Sequence, residues 1–163
     1  SDVSLDYVYK THIEIYGNKM GGIFIAKRIN DSIHRMVLTT DFGNKLLDFE
    51  VSESSFKVNF IIDNVDKKII INTLRDDFRT LLQVNSKVFK TYKRNNEVIY
   101  QTENNAYYYF DQVSSNLTKI IKTNKRKEKV IFTFNPKKTT FAENINIQHN
   151  NIKLKIDFNQ INN

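Results

Sequence analysis

The stretch Phe56-Lys57-Val58-Asn59-Phe60-Ile61-Ile62-Asp63-Asn64-Val65-Asp66-Lys67-Lys68-Ile69-Ile70-Ile71-Asn72-Thr73-Leu74-Arg75-Asp76-Asp77-Phe78-Arg79-Thr80-Leu81-Leu82-Gln83 changes its hydrophobic period once. Phe56, Val58, Phe60 and Ile62 alternate with Lys57, Asn59 and Ile61. A period of two places them on one face of a strand. From Val65 onward Ile71, Leu74, Phe78, Leu81 and Leu82 recur at spacings of three and four, the spacing of a helical face. Lys67, Lys68, Arg75, Asp76 and Arg79 occupy much of the rest. Asp63 or Asn64 can cap the free first-turn amides, and Asp63 and Asp66 favour the positive end of the helix dipole. The spacing predicts one amphipathic helix over about residues 64–83, roughly five turns long.

On both sides of this helix the period is two. Tyr9, Thr11, Ile13 and Ile15 alternate with polar partners, and Gly17-Asn18 and Gly21-Gly22 punctuate the turn that follows. Ile23–Ile29, Ile33–Thr40 and Lys45–Val51 read as further strands. Beyond the helix, strands are expected near Lys87–Lys93, Glu97–Thr102, Ala106–Asp111, Leu117–Thr123, Lys129–Asn135, Asn144–His149 and Ile152–Phe158. Asp2–Tyr7 reads as a short turn. Short polar connections imply antiparallel hairpins. A single helix cannot cover both faces of so large a sheet. The expected fold is mainly β (α+β): a strongly curved antiparallel sheet or half-barrel of about 11–12 strands, with the amphipathic helix on its concave side. No linker, repeat or low-complexity block divides the chain, so residues 1–163 read as one domain.

Composition narrows the chemistry. The 163 residues include no Cys, which excludes disulfides, cysteine-ligated metal centres and a cysteine nucleophile. His12, His34 and His149 fall on three separate predicted strands without metal spacing. No nucleophile elbow, phosphate loop or dinucleotide fingerprint occurs. The sequence therefore reads as non-enzymatic, with no cofactor and no metal. No apolar run is long enough for a membrane-spanning helix. A formal charge of +7 favours an anionic partner: nucleic acid, a membrane surface or an acidic protein.

Three features resemble the LolA/LolB-type lipoprotein carriers, in the divergent form that Bacteroidetes lipoproteins carry. Gly22-Ile23-Phe24-Ile25-Ala26-Lys27-Arg28, followed by Arg35-Met36-Val37-Leu38-Thr39-Thr40-Asp41-Phe42-Gly43-Asn44-Lys45-Leu46-Leu47-Asp48-Phe49, is similar to that family's strand–strand–Gly–strand core. The helix follows the fifth strand, as a lid helix would. Asn135-Pro136, then Ile145-Asn146-Ile147-Gln148-His149 and Ile152-Lys153-Leu154-Lys155-Ile156, is similar to the family's closing pair after a proline-containing turn. The resemblance covers nearly the whole chain in pattern. It implies a helix-covered half-barrel with a cavity for lipoprotein acyl chains, and a periplasmic or outer-membrane-anchored lipoprotein. The signal peptide and anchor Cys would then lie outside this chain. The chain departs from the family in having no Trp, few Pro and one clear helix.

On that basis the lipid-cavity set is Ile13, Ile15, Phe24, Leu38, Leu47, Phe49, Phe60 and Phe132 from strands and Ile71, Leu74, Phe78 and Leu82 from the helix. The same residues also suit an ordinary core. Burying acyl methylenes against them would be worth about 0.8 kcal/mol per CH₂. Lys119, Lys122, Lys125, Arg126, Lys127 and Lys129 cluster around a predicted hairpin tip and form the membrane-contact set, at roughly 1 kcal/mol per cation near an anionic surface. The expected partners are acyl chains of lipoproteins or lipids and an anionic membrane surface, bound by a monomer. Two alternatives stand beside this: a structural or interaction lipoprotein without a pocket, and a basic nucleic-acid-binding domain. For the last, Tyr107-Tyr108-Tyr109-Phe110 would supply stacking surfaces, two residues pointing each way. A lipocalin-type binder lacks its N-terminal Gly-x-Trp signature here.

Overall fold

The structure, a computed structural model, describes residues 7–82, 87–136 and 142–161. Its strands are β1 (Tyr7–Ile15), β2 (Asn18–Arg28), β3 (His34–Thr39), β4 (Lys45–Val51), β5 (Phe56–Ile61), β6 (Val88–Arg94), β7 (Glu97–Thr102), β8 (Ala106–Asp111), β9 (Leu117–Asn124), β10 (Lys127–Pro136), β11 (Ala142–His149) and β12 (Leu154–Gln160). A 3-10 turn at Asp63–Val65 precedes α1 (Lys68–Leu82). The hydrogen-bonded strand order is β5-β4-β3-β2-β1-β12-β11-β10-β9-β8-β7-β6. It begins at β5 and ends at β6, so the protein is mainly β with one unclosed sheet and a single α-helix among the described residues. The hairpin connections foreseen from the short polar turns are present.

Although the sequence shows no linker, the chain forms two compact units. One comprises Ser1–His12, Asn18–Val84 and Ile161–Asn163, and the other Ile13–Gly17 and Asn85–Gln160.

In the first unit, α1 buries Ile70, Leu74, Asp77, Phe78 and Thr80. Phe78 meets Phe24 and Phe49 at ring-centroid separations of 5.5 and 5.9 Å. Phe49 meets Phe56 edge-on at 5.2 Å. Leu38, Leu47 and Val65 are fully buried in the same unit, and Phe56 is half-buried at its margin. Such tilted aromatic contacts add to the area burial that holds helix on sheet. The Arg79 Nε donates to the Ser52 carbonyl at 2.9 Å and ties the end of α1 to the β4–β5 turn.

Several local expectations are corrected. The α-helix starts at Lys68 rather than near residue 64, because Val65 N donates to Ile62 O and Asp66 N to Asp63 O in a tighter turn. Its far end, at Gln83, lies outside the described residues. The buried face is led by Ile70, and Ile71 is only half-buried. The turn between β1 and β2 is made by Tyr16 and Gly17, both at positive φ (47° and 84°). Gly21 and Gly22 lie inside β2 instead of punctuating that turn.

The alternation of Phe56, Val58, Phe60 and Ile62 also breaks. Phe49 pairs with Val58 and Asp48 with Phe60, so Asn59 is an extra residue, a β-bulge. The bulge moves Phe60 to the outer face with Asp48, where it is 42% exposed, and brings Ile61 in beside Leu47.

In the second unit, cross-strand partners place Tyr100, Tyr108, Ile120, Phe132, Ile147 and Ile156 in one row across β7 to β12. Directly paired residues of a ladder point to the same face, so this row defines an apolar face. The opposite face carries Ile99, Tyr109, Lys119, Thr133, Asn146 and Asp157 in the corresponding row.

Candidate functional site

Burial along the apolar face of the second unit is graded. Ile120, Phe132, Ile147 and Ile156 are fully buried. Towards the end of the sheet Val98, Tyr100, Tyr108, Phe110 and Leu117 are only half-buried. Val98 pairs with Phe110 and Phe110 with Leu117, so these five share the face. Tyr100 packs edge-on against Phe110 at 5.6 Å. These five apolar side chains therefore keep part of their surface in water, and removing it would be favourable.

The expected lipid-cavity residues divide between the units. Phe24, Leu38, Leu47, Phe49, Leu74 and Phe78 are all buried in the first unit, where the Phe78 ring packs on Phe24 and Phe49. Ile71 and Leu82 lie half-buried on that helix. Ile13, Ile15 and Phe132 are buried in the second unit. Phe60 stands on the outer face. The half-buried strip at Val98, Tyr100, Tyr108, Phe110 and Leu117 was not in the set. Its one sequence signal was the Tyr107–Phe110 run, and the structure does send Tyr108 and Phe110 to one face and Tyr107 and Tyr109 to the other. Phe42, 95% exposed at the tip of the β3–β4 turn, was also missed. A large apolar side chain at a loop tip has no period to reveal it.

The six expected membrane-contact cations do not share one surface. Lys119 pairs across to Tyr109 and its Nζ sits 4.3 Å from that ring's centroid, on the polar face. Burial raises the Tyr109 hydroxyl above its ordinary pKa. Lys122 pairs with Ala106 and Val130 on the apolar face. Lys129 is the extra residue of a bulge in β10. Only Lys125, Arg126 and Lys127 gather at the hairpin tip. There Lys125 and Arg126 both take positive φ (50° and 66°), between the paired residues Asn124 and Lys127. That turn favours Asn-Gly, and L-residues without a compensating side chain are strained in it. Lys125→Asn combined with Arg126→Gly should raise stability by about 1 kcal/mol, read as a higher urea midpoint with an unchanged slope.

A third cluster lies on the outer face of the first unit. Asp48, buried on β4, accepts from Arg35 Nε (3.0 Å) and Nη2 (2.6 Å), from Lys45 Nζ (2.8 Å) and from Asn59 Nδ2 (3.3 Å). Its hydrogen bonds to Arg35, before any other influence, hold its carboxyl well below the ordinary carboxylate range. Every oxygen of Asp48 is occupied, so it is a tie between strands and offers no free base. His149 is buried on β11, and His34 is half-buried with its pKa lowered by burial and by Arg28. Among the described residues no group of three His, Asp or Glu could hold a metal ion, and no helix is long and apolar enough to cross a membrane.

No family model matches the chain. No curated protein matches it either. Among solved structures, the chain is similar to a DUF1329 family protein from Desulfovibrio piger, with a TM-score of 0.52 and 8% identity over 99% of this chain and 85% of that one. At that identity the likeness bears on the fold alone: this chain shares an architecture with a DUF1329 family protein.

Proposed function

We propose that the protein is a non-enzymatic binder or carrier of hydrophobic cargo, with acyl chains of lipoproteins or lipids as the chemical class, working in the cell envelope as a LolA/LolB-like periplasmic or outer-membrane-anchored lipoprotein. The observation that carries this reading is the half-buried apolar strip of Val98, Tyr100, Tyr108, Phe110 and Leu117. In this reading the sheet curves as a half-barrel with α1 on its concave side. Phe42 offers a second apolar contact at a turn tip, and Lys125, Arg126 and Lys127 suit an anionic headgroup surface.

Native mass spectrometry of protein purified from cells should show added mass that dissociates as acyl chains. A fluorescent long-chain fatty acid should bind, and Phe110→Glu should weaken it at least tenfold, because a carboxylate would have to lose water against the alkyl chain. Absence of acyl mass together with undiminished or undetectable probe binding would reject the reading.

A second reading has its own support. The phenylalanines around α1 pack on one another, with ring centroids 5.5 Å (Phe24–Phe78), 5.2 Å (Phe49–Phe56) and 5.9 Å (Phe49–Phe78) apart. A pocketless structural or interaction lipoprotein fits that packing, and a failed acyl-binding experiment would favour it.

A further inference from the structure

The strand order ends at β6, and β7 is the one strand paired with it among the described residues. All seven residues of β6, Val88-Phe89-Lys90-Thr91-Tyr92-Lys93-Arg94, are exposed. Edge strands are ordinarily blunted by bulges, shortness, cover or charged side chains, because their free amides and carbonyls template another strand, and the cations of β6 repel a basic or apolar strand while leaving an acidic one admissible. Here the irregularity is confined to Phe89. From Lys90 to Arg94 the register against β7 is unbroken: Lys90↔Gln101, Thr91↔Tyr100, Tyr92↔Ile99, Lys93↔Val98 and Arg94↔Glu97.

The strand's charge selects the occupant. β6 carries Lys90, Lys93 and Arg94 and no acidic residue. Lys90, Tyr92 and Arg94 alternate on one face. The Lys90 Nζ lies 4.9 Å from the Tyr92 ring centroid, and the Tyr92 hydroxyl donates to Gln101 Oε1 at 3.1 Å. The aromatic ring is thus held in place with a cation on it, ready for a neighbouring strand's side chains. A second copy of β6 laid alongside would set these cations against their own kind, which disfavours self-pairing.

We infer that the β6 edge, from Lys90 to Arg94, docks an extended acidic peptide segment of a partner protein by strand addition. Main-chain hydrogen bonds would supply the affinity, and carboxylates facing Lys90 and Arg94 would supply the selectivity. Thr91 and Lys93 border the apolar strip through Tyr100 and Val98, whereas Lys90 and Arg94 stand on the opposite face, and the inference does not depend on cargo binding.

The test uses the whole chain and a fluorescein-labelled peptide of alternating glutamate and valine, read by anisotropy at physiological salt. The peptide should bind saturably. The same peptide N-methylated at alternate backbone nitrogens on its pairing edge keeps its charge and should bind at least tenfold more weakly. The Lys90→Glu/Arg94→Gln variant should lose tenfold or more. The inference is overturned by no saturable binding, by equal affinity for the N-methylated peptide, which would mean simple charge attraction, or by displacement of the peptide by a single-stranded oligonucleotide that binds more tightly. Sedimentation showing that the edge is taken up in a dimer would overturn it as well.

Discussion

Gly22→Ala should cost about 3 kcal/mol or more, a large share of the stability of a typical domain. A Cβ built on Gly22 would lie 1.8 Å from the Thr39 carbonyl oxygen, 2.8 Å from its carbonyl carbon and 3.0 Å from the Thr40 Cα. All three are backbone atoms. They cannot swing aside as a side chain would, because the start of the β3–β4 turn is pinned. Thr40 N donates to Asn44 O at 2.8 Å, Gly43 N to Thr40 O at 2.9 Å, and Asn44 N to Thr40 Oγ1 at 3.1 Å. Relief would require breaking the β2–β3 ladder near Ile23↔Thr39. Gly21→Ala is the matched control, since its Cβ would meet chiefly the imidazole of His12, with Nδ1 at 3.1 Å. Denaturant unfolding should show Gly22→Ala far below Gly21→Ala. Equal midpoints for the two variants would refute the close approach.

Asp48→Ala should cost about 3 kcal/mol, because it leaves two cations without their shared carboxylate. The Asp48 side chain is 1% exposed, while those of Arg35 and Lys45 are 45% and 48% exposed. The stranded cations can regain water, which holds the loss at the lower end for a broken buried ion pair. The same contacts set a pH dependence. Asp48 has a depressed pKa in the folded protein. Its contribution is therefore complete above the unfolded carboxyl value, about 3.9, and drains away as the pH falls below about 4 towards the folded value. The gap in unfolding free energy between wild type and Asp48→Asn should be constant near neutrality and narrow on acidification below that point. A gap that widened in acid would contradict the assignment.

Much of the fold was legible because strand alternation and hairpin turns are local. Lys45–Val51, Glu97–Thr102 and Ala106–Asp111 are bounded in the structure where their turn residues suggested. What failed to show was set by partners. The Asn59 bulge is a mismatch between β4 and β5, and neither strand's own sequence displays it. Gly22 looks like a turn residue until Thr39 is found against it. Asp48 interrupts an apolar run, a visible oddity, yet its ties to Arg35 and Lys45 depend on neighbouring positions in the ladder and turn. For the candidate strip, the division of Tyr107–Phe110 between two faces followed from period two. The half-open state of Tyr108 and Phe110 did not, because exposure depends on what packs over a face.

The placing of β12 next to β1 has a consequence for how the chain is made. Tyr16 N donates to Lys153 O at 2.9 Å, and Ile161 N to Val8 O at 3.3 Å. Every other neighbouring pair in the strand order is consecutive in sequence and can zip as soon as its turn forms. β1 leaves the ribosome well before the strand that completes it. Throughout the intervening synthesis one side of β1 presents bare amides and carbonyls, and the closure that hides them carries the largest loop entropy in the molecule. The period of greatest vulnerability to misassembly therefore falls while the chain is growing and ends only when β12 arrives.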